Sequence, residues 1–190
     1  MLSGEEEARL LEALASRYAG LRPVVVLALN TGVRRGEMAS LRWPDVDFAG
    51  PLLHLPREIT KNGRARSIPL NGEALAALVE LKEAAGAAEL VLAGLGYGKG
   101  ALSKKLAAAV ADAGISGVTL HTLRHTFATR LKDAGVDPFT VRDLLGHATI
   151  QMTNHYTHAT PETMRRGVEV LAGATGESTR FVPRALRGVA

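Results

Sequence analysis

Between residues 51 and 70 the apolar pattern of the chain changes period. The stretch "PLLHLPREITKNGRARSIPL" reads as a short strand over "PLLHLP" and another over "RARSIPL", with Asn62-Gly63 between them. Strand side chains alternate between two faces, and Asn-Gly is the strongest short signal for a two-residue hairpin turn. On both sides of this stretch the apolar residues recur at helical spacing. A single hairpin set among helices predicts a mainly α domain with a small antiparallel β-sheet, an α+β fold.

The helices announce themselves at their ends. Ser3 and Glu6 have capping-box spacing and open a helix with Leu10, Leu14 and Tyr18 along one face. The run at 23–30 reads as a buried helix that starts at Pro23 and stops near Asn30-Thr31-Gly32. Arg34 and Arg35 follow that break and open another helix, and Asp45-Val46-Asp47 reads as a turn after Trp43-Pro44. From about residue 72 the chain is helical and Ala-rich through "GEALAALVELKEAAG" and "ALSKKLAAAVADAG". Three more helices follow. One carries "HTLRHTFATR" at 121–130, and the others start at Asp137-Pro138 and Thr160-Pro161, each with a capping side chain and a proline in the first helical position.

A chain of 190 residues makes one ordinary domain with a real core. Its formal charge of +4 and pI near 9.7 suggest a polyanionic partner. With no cysteine, disulfides, thiolate catalysis and thiolate zinc sites are excluded. The acidic start "MLSGEEEARL" does not read as a signal peptide, and the most apolar run, "VVVLAL" at 24–29, is far too short to span a bilayer. The expectation is a soluble, cytoplasmic domain with no membrane partner.

Five of the six histidines lie between 121 and 158. On a helix, His121, Arg124 and His125 share one face. That face reads as solvated or core-satisfied, as a metal-binding pair of histidines, or as an anion site. The Glu of a metalloprotease-type pair is missing, whereas guanidinium meets phosphate through two parallel charge-assisted hydrogen bonds. Three other stretches allow the same choice between plain and functional. Glu37 lies one helical turn from Arg34, either as a solvated ion pair or as the group that holds Arg34 toward an anion. Lys61 approaches the Asn62-Gly63 turn, as a solvated charge or on a finger that reaches into a site. His147 follows Gly146 at a helix end, with Tyr156 nine residues on, either structural or reactive. Four plain readings in one chain are less probable than one site.

Together, "TGVRRGE", "TKNGRARSIPL", "HTLRHTFAT" and "LLGHATIQMTNHYTH" closely resemble the catalytic domain of the tyrosine recombinase (phage integrase) family, from about residue 2 to about 172. The resemblance implies that fold over residues 1–172, followed by a flexible tail at 173–190. It implies a catalytic set of Arg34, Lys61, His121, Arg124, His147 and the nucleophile Tyr156, with Glu37 supporting Arg34. Arg35, His125, His155 and His158 fall outside the family's catalytic positions. Family members usually carry a helical core-binding domain ahead of this one, and here the sequence starts at the first helix of the catalytic domain, so that domain is expected to be absent.

The implied activity is site-specific DNA recombination or integration by metal-free and cofactor-free strand cleavage and rejoining through a 3′-phosphotyrosyl intermediate. The implied partners are double-stranded DNA and further copies of the chain in a recombinase tetramer, with exchange of C-terminal segments. These residue types suit that chemistry. Preorganised cations offset the charge that develops on a phosphodiester under attack. A phenol with an ordinary pKa of about 10 is activated where cations favour phenolate. His121 takes the phenolic proton or helps orient the phosphate, and Lys61 resembles the family's general acid for the leaving 5′ oxygen. Two alternatives use the same fold: relaxation of DNA in the manner of a type IB topoisomerase, and a DNA-binding module without catalysis.

Overall fold

The computed structural model of the chain describes residues 1–95 and 99–147, all within one compact unit. In chain order these residues form α1 (Gly4–Ala15), α2 (Arg22–Thr31), α3 (Arg35–Ser40), β1 (Val46–Asp47), β2 (Leu52–Leu55), β3 (Arg66–Pro69), α4 (Gly72–Ala85), α5 (Lys99–Asp112), α6 (Leu120–Asp133) and α7 (Pro138–Leu145). The architecture is the mainly helical α+β fold with a small antiparallel sheet. The expected helix at Thr160, the boundary near 172 and the tail at 173–190 lie outside the described residues.

The capping side chains set the helix starts. Ser3 and Glu6 exchange the two bonds of a capping box at the head of α1. Asn71 caps α4 and Asp137 caps α7, each accepting backbone N–H groups that the first helical turn leaves unpaired. Tyr18 follows α1 rather than lying on it. The helix stops at Ala15, and the Tyr18 hydroxyl donates to Asp112 at the end of α5, 2.8 Å away.

The strands are β1-β2-β3 in order, antiparallel throughout, with Val46 opposite Leu53 and Leu55 opposite Arg66. Two details depart from the sequence-based expectation. Val46-Asp47, read as part of a turn, is a short edge strand that follows a turn of 3-10 helix at Trp43–Asp45. The strands β2 and β3 do form a hairpin, but residues 56–65 join them instead of a two-residue turn. Pro56 has no N–H to give to the ladder, so the pairing ends at Leu55. Asn62-Gly63 turns the tip of this longer loop, where Gly63 has φ +64° and its N–H bonds to the Thr60 carbonyl.

Helix α2 is buried nearly all round and packs on α4 and α6. The core around it draws Leu10 and Leu14 from α1, Leu53 and Ile68 from the sheet, and Leu78 and Leu81 from α4. Each such side chain contributes about 1.5–3 kcal/mol by leaving water. A smaller cluster of Phe127, Ala128, Val141 and Leu145 fixes α7 on α6. Among the described residues no helix is long and apolar enough to cross a membrane.

Candidate active site

Three arginines meet at the C-terminus of α7. A helix leaves its last carbonyls without partners inside the helix, and they carry the negative end of the helix dipole. Gly146 follows α7 with φ +62°, so the chain turns back and the amides of Gly146 and His147 bond to the carbonyls of Asp143 and Arg142. The next three carbonyls then face outward from the turn, and an arginine meets each. Arg66 Nε donates to the Leu144 oxygen at 3.0 Å, and Arg124 Nη2 to that of Leu145 at 2.7 Å. Arg34 Nη2 donates to the Gly146 oxygen at 2.9 Å.

Each arginine arrives from a different element. Arg34 sits at the head of α3, placed there by the turn at Gly32, where φ is +59° and a Cβ would collide with the Phe127 ring. Arg124 comes from the first half of α6, is only 6% exposed, and spans the site by donating its other arm to the Gly32 carbonyl at 2.5 Å. Arg66 opens β3. Glu37, 1% exposed, holds two of the three: its oxygens accept Arg34 Nη1 at 3.0 Å, the Arg34 amide at 2.8 Å, and both terminal nitrogens of Arg66 at 2.9 and 2.8 Å.

Burial pushes the Glu37 carboxyl up, but bonds from Arg66 and Arg34 and the Arg66 charge more than offset it, so the group lies below its usual 4.5. Three guanidiniums against one carboxylate leave two positive charges in this group. His147 feels them. Burial, then the charges of Arg124, Arg34 and Arg66, push its imidazole from 6.5 down to about 4, so it is neutral at pH 7.

A cavity of about 680 Å³ opens over this group. Arg34, Lys61, His121, Arg124 and His147 all line it. His121 reaches it from the first turn of α6 and Lys61, exposed, from the tip of the β2–β3 loop. Glu37 lies beneath, behind Arg34. Tyr156 lies outside the described residues, as do His155 and His158. Opposite these groups α5 contributes Ser103 and Ala107 to the wall, and Arg35 lines it too, bonded to the Ser103 hydroxyl at 3.3 Å. Among the described residues no group of three or more His, Asp or Glu side chains is placed to hold a metal ion. The arrangement is an electropositive recess with fixed forked donors, suited to a tetrahedral anion.

Sequence reading passed over Arg66, Asn62 and the cavity-facing position of Arg35. Asn62 Nδ2 points at the Gly146 carbonyl from 3.4 Å. Arg66 did leave a signal: it alternates with Ile68 on the inward face of β3, where a charged side chain needs a partner.

Residues 1–163 match the model of the phage integrase family. The tyrosine recombinase XerC of Xanthomonas axonopodis pv. citri is 31% identical over 166 residues, 83% of this chain and 53% of its own length. That of Roseiflexus castenholzii is 35% identical over 154 residues, 74% of this chain and 48% of its own. The chain thus spans about half the length of these curated relatives. Among solved structures, the XerA recombinase superposes with a TM-score of 0.72 at 27% identity, covering 90% of this chain and 64% of that one. The Tn1549 transposon integrase in complex with circular intermediate DNA gives 0.69 at 28%, covering 90% and 66%. A lambda integrase dimer bound to a core site gives 0.69 at 27%, covering 82% and 58%. Both in sequence and in fold, the chain belongs to the phage integrase family, the tyrosine recombinases.

Proposed function

We propose that this chain is the catalytic part of a site-specific DNA recombinase, cutting and rejoining strands of double-stranded DNA through a 3′-phosphotyrosyl intermediate. The convergence of Arg34, Lys61, His121, Arg124 and His147 on one cavity carries the reading. In it, the scissile phosphate takes the cavity, with Arg34 and Arg124 donating to its non-bridging oxygens and His147 adding a further donor. The Tyr156 oxygen attacks phosphorus and the bond to the 5′ oxygen breaks. The phenolic proton leaves through His121 or solvent, and Lys61 protonates the departing 5′ oxygen. In rejoining, a 5′ hydroxyl attacks the phosphotyrosine and Tyr156 leaves. One phosphodiester replaces another, so no external energy source is needed.

The same proposal extends to the whole protein. Residues 1–172 form the catalytic domain and 173–190 a tail, and the protein works in the cytoplasm. Copies assemble as a tetramer on DNA, with C-terminal segments exchanged between them. The support is the match to integrase and recombinase relatives, several solved on DNA. A nicked suicide duplex tests the chemistry. The wild-type chain should leave a covalent protein–DNA adduct on a denaturing gel, and Tyr156→Phe, which loses only the hydroxyl, should bind DNA and leave none. An adduct with the Phe variant would remove Tyr156 from its role. Relaxation of supercoiled DNA by the monomer would favour a topoisomerase instead.

A further inference from the structure

Arg66 has no part in the proposed chemistry, yet its side chain is only 8% exposed and every arm of its guanidinium is engaged. Nη1 and Nη2 run parallel onto the two Glu37 oxygens, and Nε donates to the Leu144 carbonyl at the end of α7. A carboxylate has about four acceptor positions, and Glu37 fills them with the Arg34 amide, one Arg34 arm and two Arg66 arms. Arg66 therefore limits Arg34 to one side-chain bond with Glu37. Without it, the vacated positions would draw the Arg34 fork into the bidentate pairing that guanidinium and carboxylate prefer, away from Gly146 and the cavity. The fit at α7 is equally close. A Cβ at Gly146 would stand 2.8 Å from Arg66 Nη1, so the glycine both makes the turn and leaves room for the guanidinium.

We infer that Arg66 is a positioning residue of this site: through Glu37 it sets the direction of Arg34, and through the Leu144 carbonyl it ties the strand that follows the Lys61 loop to the turn that carries His147. Lysine cannot take its place, because one ammonium on a flexible stem does not supply two parallel donors and a third aimed in a different fixed direction. The inference rests on the phosphate-binding role proposed for Arg34, and its test separates the two.

Arg66→Met and Arg66→Lys are compared with the wild-type chain for melting, for duplex affinity and for single-turnover cleavage of a suicide duplex at saturating protein. Cleavage should fall at least about tenfold in both variants, as for a misdirected catalytic group. Affinity should stay within about twofold, as expected where binding contacts are independent of the site. In an Arg34→Ala background, adding Arg66→Met should cost clearly less than it does alone, because one of the two groups it directs is already gone and only its tie to the His147 turn remains to be lost. Full recovery by Lys, a loss confined to affinity, or a multiplicative loss in the double variant would overturn the inference. Should Met prevent folding, Lys alone carries the comparison. A wild-type chain that makes no adduct would overturn the proposed function instead. The Arg34 side-chain N–H signals, read by 15N NMR without DNA, would then decide. They should be resolved in the wild type and shifted in Arg66→Met, as Arg34 exchanges the Gly146 carbonyl for the second Glu37 oxygen, and signals unchanged in the variant would refute the positioning role.

Discussion

His147 and the arginines give the cavity its pH dependence. The imidazole is pushed from 6.5 to about 4, so between these values the unfolded chain holds a proton that the folded chain refuses. Stability therefore falls as the pH drops from 6.5 toward 4, and Glu37, whose pKa is lowered by its bonds, adds a further loss as it titrates below 4.5. A bound phosphate reverses the sign at His147. The anion offsets the arginine charges that help to depress the imidazole, so binding favours its protonated form and should tighten as the pH is lowered toward about 4. Titrations of a short duplex at constant ionic strength should show this slope, and His147→Gln should flatten it. A slope unchanged by His147→Gln would place the proton elsewhere. Arg34→Ala and Arg124→Ala should each slow cleavage by roughly 10² or more with a smaller effect on affinity, and Lys should rescue poorly because it lacks the fork. Lys61→Ala should be slow on an ordinary phosphodiester but recover most of its rate on a 5′-bridging phosphorothiolate, whose thiolate leaves without a proton. Equal recovery in the Arg34 and Arg124 variants would argue against Lys61 as the acid.

Turns matter as much as helices in this fold. Gly114 and Gly146 both follow helices with positive φ, at +64° and +62°, but only Gly146 has another side chain close by. Gly114→Ala should cost about 1 kcal/mol for the backbone alone. Gly146→Ala should cost more, about 2–3 kcal/mol, because its methyl also meets the Arg66 guanidinium. Urea unfolding of the two variants gives the difference, and equal costs would mean that Arg66 yields easily. The elements most legible in the sequence are those with chemical marks at their ends: Ser3, Asn71 and Asp137 as caps, Pro138 in a first turn, Gly32 and Gly146 as stops. Strand β1 has only Val46 and Asp47 and leaves no period to read. The β2–β3 loop is longer than Asn62-Gly63 suggests because Pro56 ends the ladder several residues earlier. Arg34, Lys61, His121, Arg124 and His147, the positions marked by the family pattern, line one cavity, and Arg35 joins them there without belonging to that pattern. Arg66 was not legible in this way, since its meaning lies in Glu37, 29 positions away, and in a carbonyl 78 positions away.

At the level of the whole molecule, the excess of four positive charges is modest, and the chain spans about half the length of its curated relatives. Its grip on DNA by itself should be weak and carried by phosphates. The logarithm of the binding constant should then fall against the logarithm of salt concentration with a slope of about 0.9 per phosphate neutralised. A nanomolar complex that ignores salt would mean that base contacts dominate. The capped end of α7 bears on this association in another way. An arginine side chain has about 2 kcal/mol of rotamer entropy to lose when it is fixed. Arg34, Arg66 and Arg124 are already fixed by carbonyls before any ligand arrives. That ordering subtracts from the stability of the ligand-free chain and not from its affinity. The fold gives up some of its own robustness, and an incoming phosphate has mainly water to displace.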